Sequence, residues 1–211
     1  INYPYANLHI YPSQEGIGIE RFQFVPDAKE AVVVEYTFRN ETDKPLDFQF
    51  AFTVYTELMP VWLGERTGMI DSEDEWIEIN KKYLLAKDRG NDWYVMAGAN
   101  RSAADTLDAC PDCKYTPKGM GTQGGLLYTF NLEPNQSEVL HFVIAGSTQS
   151  CDEVMETYLD VHKNAGQYLL EKSLRYKRIA NKARLTVPDS TLQKAFEWTS
   201  RQWVSSRLLF I

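Results

Sequence analysis

The chain has 211 residues, 44% hydrophobic and 13% aromatic, with a formal charge of -7 and a sequence pI near 5.1. Twelve Tyr, ten Phe and five Trp provide large side chains for a packed core, which argues against disorder, and the length suits one large domain with or without an appendage. The acidic balance repels phosphate backbones and anionic lipid, and no apolar run approaches the roughly 18 residues that span a bilayer, so neither nucleic acid nor a membrane is expected as a partner.

From residue 1 to about 148 the pattern alternates with period two. Leu8 to Tyr11 and Ile17 to Val25 open the series. Val32, Val34, Tyr36 and Phe38 then alternate with Val33, Glu35, Thr37 and Arg39, and Leu46, Phe48, Phe50, Phe52 and Val54 alternate with Asp47, Gln49, Ala51, Thr53 and Tyr55. Successive strand side chains point to opposite faces, so each run presents one apolar face to a core. The turn formers Asn40-Glu41-Thr42-Asp43-Lys44-Pro45 between them predict an antiparallel pair. Further strands are expected at Trp76 to Asn80, Tyr83 to Lys87, Trp93 to Ala97, Leu126 to Leu132 and Val139 to Ala145. The stretch from Gly98 to Gly125 offers no convincing strand. Many strands without intervening helices predict a mainly β, two-layer antiparallel sandwich.

At Ser150 the period changes. Ser150 and Glu153 fit a capping box, and Val154, Met155, Tyr158, Leu159, His162, Ala165, Tyr168 and Leu169 recur at helical spacing. The spacing predicts a helix to about Asn181, an extended Arg184-Leu185-Thr186-Val187-Pro188, and a second helix capped by Asp189 or Ser190 with Leu192, Ala195, Phe196, Thr199 and Trp203 on one stripe. The chain opens on Ile1-Asn2-Tyr3-Pro4 with no initiator Met or export signal and closes on Leu208-Leu209-Phe210-Ile211. Both ends read as cuts within a longer protein, which leaves a periplasmic or cytoplasmic location open.

This order resembles glycoside hydrolases in which an N-terminal supersandwich, galactose-mutarotase-like in fold, is tied by linker helices to an (α/α)6 barrel. It is most similar to bacterial glycogen debranching enzymes, or amylo-α-1,6-glucosidases. The residues that carry the resemblance are Val34-Glu35-Tyr36-Thr37-Phe38-Arg39-Asn40, Glu57-Leu58-Met59-Pro60-Val61-Trp62-Leu63-Gly64, Leu132-Glu133-Pro134 with Val139 to Gly146, and Leu185-Thr186-Val187-Pro188-Asp189 running into Ala195-Phe196-Glu197-Trp198. The resemblance implies a sandwich over 1–148, a linker helix and extended step over 149–187, and the start of a truncated helical domain over 188–211. It also implies that the catalytic carboxylates lie beyond Ile211, so that no catalytic residue falls in this chain and no cofactor is required. The expected partners are the chain's own C-terminal (α/α)6 domain and an α-glucan. A stand-alone carbohydrate-binding sandwich is the alternative.

Individual residues are weighed against plainer roles. Trp62, Glu65 and Arg66 are the candidate sugar contacts, because an indole stacks on sugar faces and charged side chains bind hydroxyls; Trp62 packed against the sandwich or a neighbouring domain is the competing reading. Asp71-Ser72-Glu73-Asp74-Glu75 has the density for a carboxylate pair or a calcium ion but reads as a solvated loop. Gly119-Met120-Gly121-Thr122-Gln123-Gly124 spells a dinucleotide motif but leads into a strand, which makes it a flexible connection. Cys110 and Cys113 could join Cys151 and one of His9, His141 or His162 around zinc, although plain loop cysteines or a local disulfide fit the spacing as well. His141 and His162 are expected to be hydrogen-bonded structural residues. The basic run Lys172, Arg175, Lys177, Arg178, Lys182 and Arg184 complements the helix dipole.

Overall fold

A computed structural model describes residues 1–60, 64–107, 120–182, 186–196 and 199, leaving out the side chains of Glu65 and Lys182. Eleven strands and one long helix follow in order among these residues: β1 (Asn2–Tyr3), β2 (Ala6–Gln14), β3 (Ile17–Phe24), β4 (Ala31–Asn40), β5 (Leu46–Tyr55), β6 (Asp74–Ile79), β7 (Tyr83–Asp88), β8 (Tyr94–Ala99), β9 (Asp105–Leu107), β10 (Gln123–Leu132), β11 (Ser137–Ser147) and α1 (Cys151–Lys182). They build an eight-stranded sheet of order β1-β2-β3-β4-β11-β8-β7-β6 and a three-stranded sheet of order β5-β10-β9, with antiparallel pairing throughout.

The expected pairing of the Val32 and Leu46 runs does not occur. β4 pairs with β3 and β11, whereas β5 pairs with β10 in the other sheet. The connection is a corner between layers, built on Asn40. This side chain is fully buried. Its Nδ2 donates to the carbonyls of Lys44 at 2.7 Å and Leu132 at 2.9 Å. Its Oδ1 accepts from the Thr42 N–H and hydroxyl, both at 2.8 Å. A turn-rich linker of this length closes a hairpin or an inter-sheet corner equally well, and here the bond to Leu132, ninety-two residues away, selects the corner. The stretch without a convincing strand also holds one: β9 adds to β10 through Asp105 to Leu107.

The corner lets β5 lay its aromatic face onto β4. Phe48 and Phe50 meet Phe38 at ring-centre distances of 5.5 and 4.9 Å, and Phe52 stacks on Phe142 at 3.9 Å. With Leu126, Tyr128, Phe130, Leu132 and Leu140 they form the core between the sheets. Tyr128 and Phe142 meet edge-on, as aromatic pairs with ring centres 4.5–7 Å apart prefer.

A second core lies on the opposite face of the large sheet, where Val33, Leu85, Met96, Val143 and Ala145 pack against Val154, Tyr158, Val161 and Ala165 of α1. The central strands are therefore apolar on both faces, and the helix makes a third layer over a two-sheet sandwich. Local chemistry starts α1 where it does. The Ser150 hydroxyl accepts the Glu153 N–H at 3.2 Å. The Glu153 carboxylate reaches the Ser147 hydroxyl and the Gln149 side chain rather than closing a full capping box. Further along, Lys172 and Arg175 pair with Asp27 of the β3–β4 turn at 3.0 and 3.1 Å, so part of the basic run ties the helix to the sandwich. Asp189 caps a short helical stretch over 190–196 by accepting the N–H groups of Thr191 and Leu192. Lys182 as a side chain, Arg184, Leu185 and Trp203 lie outside the described residues.

Candidate functional site

At one end of the sandwich the chain leaving β5 is held by two contacts to the start of β10. Thr56 donates its N–H to the Thr122 carbonyl at 2.9 Å, and the Thr122 N–H returns to the Thr56 hydroxyl at 3.3 Å. Asp74, at the head of β6, joins this region to its neighbours. Its Oδ2 accepts the Leu58 N–H at 3.0 Å and its own N–H donates to the Met120 carbonyl at 2.6 Å. The acidic run is thus not simply a solvated loop, because Asp74 is buried. Burial raises its carboxyl pKa above the ordinary value, and the charges of Asp88 and Asp71 push the same way against the lowering bonds from Leu58 and Thr56.

Asp88 lies directly across from Asp74 in the β6–β7 register and is fully buried. Its Oδ2 accepts the Ser72 N–H, and its Oδ1 accepts the N–H groups of Gly90 and Asn91 and the Asn91 amide. With Oδ1 used on its own turn and Oδ2 on the loop before β6, Asp88 pins the two loops together. Glu73 and Glu75 instead hold Arg89 at the surface.

Exposed Met59, Met69, Ile70 and Met120 lie among these loops, making the end both acidic and apolar. Of the sequence-predicted contacts, Glu65 and Arg66 sit on one 3-10 turn, Glu65–Thr67, closed by the Thr67 N–H and hydroxyl on the Gly64 carbonyl at 3.0 and 2.8 Å. Arg66 is exposed, whereas Trp62 and the Glu65 side chain fall outside the described residues. The structure therefore places Arg66 at the loop end without showing what Trp62 touches. Of the dinucleotide-like glycines, Gly124 serves the sheet: a Cβ there would meet the Trp76 ring at 3.0 Å, and Trp76 donates its indole N–H to the Gln123 carbonyl.

A second polar cluster lies under α1. His141 of β11 and His162 of α1 have ring centres 6.0 Å apart, and Tyr158 meets His162 edge-on at 4.5 Å. His141 Nδ1 is 3.6 Å from a Glu35 carboxylate oxygen. Burial lowers the His162 pKa to about 4, with His141 adding to the effect and the Gly98 carbonyl opposing it. Both Nε2 atoms are buried without a hydrogen-bond partner, so the expected hydrogen-bonded role is met only in part, at the Gly98 carbonyl beside His162. Helical period put His162 on the inward stripe, but no local signal brought it to His141. Cys110 and Cys113 lie outside the described residues, and Cys151 is a free thiol. Cys151 is the first residue of α1 and so lies about 16 Å along the helix from His162, too far to share an ion with it. Among the described residues no group of three or more His, Cys, Asp or Glu side chains is arranged to hold a metal, and no helix is long and apolar enough to cross a membrane.

No protein-family model and no curated protein matches the sequence. Solved structures resemble it in fold. A protein assigned as a kojibiose phosphorylase from the human microbiome superposes with a TM-score of 0.61 at 12% identity, over 94% of this chain and 26% of its own. A protein assigned as an aldose 1-epimerase from Escherichia coli K12 gives 0.47 at 9% identity over 70% of this chain and 67% of its own. A bacterial glucoamylase gives 0.43 at 12% identity over 78% and 25%. The first of these supports the fold, a mainly β antiparallel sandwich, and this chain spans about a quarter of that protein's length.

Proposed function

We infer that this chain is the non-catalytic N-terminal sandwich of a larger glycoside hydrolase acting on α-glucans, of the glycogen-debranching kind. In this reading α1 is a linker helix, the segment over 188–211 begins an (α/α)6 barrel, and the sandwich buttresses that barrel. The observation that carries it is the superposition over 94% of this chain onto about a quarter of a much longer sugar phosphorylase. Support also comes from α1, which buries one face on the sheet and leaves Leu159, Leu170 and Leu174 exposed on the other. Monomeric surfaces rarely expose contiguous apolar patches, and a packed helical domain is a natural cover for such residues. The loop end, with Trp62, Glu65 and Arg66, would face the substrate cleft, where an indole and a guanidinium suit a sugar's apolar face and hydroxyls.

The test is the intact mass of the native gene product together with glycan binding by the isolated chain. A product far above 24.3 kDa, with an isolated chain that ignores maltooligosaccharides, is the expected result. A product ending near residue 211 whose sandwich binds maltooligosaccharide unaided would overturn it in favour of a stand-alone carbohydrate-binding module.

A further inference from the structure

We propose that the free edge of β5 receives one further antiparallel strand, supplied by the chain that precedes Ile1 in the longer protein. The proposal rests on the part of the preceding reading that makes this chain a piece of a larger one, and not on the glucan.

The Thr56 N–H points to the Thr122 carbonyl just ahead of β10, and the register of β5 with β10 runs without a shift from Tyr55 opposite Gln123 to Leu46 opposite Leu132. Backbone groups alternate in direction along an antiparallel strand. The even-numbered residues of β5 therefore bond to β10, and the N–H and carbonyl groups of Asp47, Gln49, Ala51 and Thr53 face away from it. β5 ends its sheet, so no strand among the described residues meets these groups. The other terminal strands are blunted, as exposed edges need to be. β1 has two residues and β9 three, and β6 is interrupted by a register shift between Trp76 and Glu78. β5 has ten residues, no shift against β10, and neither proline nor lysine.

The layer beneath fixes what fits there. β5 lies over β4, with Phe50 against Tyr36 at 4.9 Å and Phe48 against Phe38 at 5.5 Å. One strand spacing further out, about 4.8 Å, the large sheet continues through β3 and β2. Ile19 and Arg21 stand opposite Phe38 and Tyr36, and Tyr11 and His9 stand opposite them in turn, so all four share the inner face. Tyr11 is 39% exposed there, with the Arg21 guanidinium 5.9 Å from its ring centre. A strand added to β5 would close over this floor at the usual spacing of about 10 Å between sheets. A second copy of the chain, pairing β5 with β5, would drive its own large sheet into β3 and β2, so the gap admits a single strand. The source follows from the layers. α1 lies on the opposite face of the large sheet, whereas β1 enters beside β2 on the side where the gap lies. A chain reaching Ile1 can pass the gap without crossing a sheet.

The test is amide hydrogen exchange in the native gene product and in the isolated 211-residue chain. In the isolated chain Gln49, Ala51 and Thr53 should exchange near the unstructured rate, and in the longer product at least about 100-fold more slowly. A longer product shortened to begin at Ile1 should lose that protection. A51P removes an N–H that lies outside the β10 ladder, so it should lower the melting temperature of the longer product more than that of the isolated chain. Equal exchange in the two proteins, a native product that begins at Ile1, protection that survives the shortening, or equal A51P shifts overturns the proposal. Failure of the glucan reading shows instead as maltooligosaccharide binding by the isolated chain, which leaves the comparison of exchange rates intact.

Discussion

Replacing Asn40 with Ala tests the account of the inter-sheet corner most directly. The side chain is fully buried and makes four hydrogen bonds, two as donor and two as acceptor. Truncation leaves the Leu132 carbonyl without its side-chain donor and the Thr42 N–H without its acceptor, while the Thr42 hydroxyl, released from Asn40, can turn its proton to the Lys44 carbonyl 2.9 Å away. Each buried group left unpaired costs about 1–3 kcal/mol, and since the Thr42 N–H is only partly buried, N40A should lose about 2–4 kcal/mol. For a chain of this size that is a fall of roughly 5–15 °C in melting temperature. Urea denaturation is the assay, and the midpoint should move while its slope stays constant, showing a change in stability rather than in compactness. N40D adds a sharper comparison. It nearly preserves shape but turns both donors into acceptors facing the Lys44 and Leu132 carbonyls, so it should be less stable than N40A. A loss below about 0.5 kcal/mol for N40A, the range of an ordinary surface substitution, or an N40D milder than N40A, would refute the corner argument.

Three further outcomes are expected. F142A removes a fully buried ring packed against Phe52, Tyr36 and Tyr128 and should cost about 3–5 kcal/mol in the same assay, more than F52A at the half-buried stacking partner. A Cβ at Gly98 would collide with the Lys82 carbonyl and the Tyr158 hydroxyl, so G98A should destabilise by about 1–3 kcal/mol; Y158F in the same chain should recover part of this in a double-mutant cycle. Asp160 is bonded to Lys29 and Tyr168, and these hold its carboxyl down at about 2 against an ordinary 3.8. Its stabilisation is therefore fully present above the ordinary value and is lost as pH falls from there through about 2. Because the pair is partly solvated, D160N should cost about 1 kcal/mol or less at pH 7, and its difference from the parent should shrink in denaturation curves below the ordinary carboxyl value and vanish only below about pH 2.

The proposed glucan role makes demands on different parts of the molecule. The loop end must stay accessible, and the outer face of α1 must be covered. Arg66 and the exposed Met59, Met69, Ile70 and Met120 belong to the first surface, and Leu159, Leu170 and Leu174 to the second. Charge substitution at Leu170 in a full-length product would thus disturb domain packing before glycan affinity, whereas Trp62→Ala separates the two roles of that residue. Unchanged affinity together with reduced stability would assign Trp62 to packing.

The sequence by itself determined the elements that depend on near neighbours. Alternation in Val32–Phe38 and Leu46–Val54 marked strands because side-chain direction on a strand repeats every second residue. Ser150 marked the change to helix because its hydroxyl meets an amide only three positions on. Among the candidate contacts, the position of Glu65 and Arg66 on one turn is likewise local. Only the tertiary structure decided which sheet each strand joined. The turn formers at Asn40–Pro45 bend the chain either way, and the choice rests on Asn40 reaching Leu132. The same distance hid the burial of Asp74, whose partners Leu58 and Met120 arrive from separate loops, and the meeting of His141 with His162 across a helix–sheet seam. Val33 shows the limit most simply. Period two assigned it to the face opposite Val34, but its burial depends on the helix that packs there more than a hundred residues later.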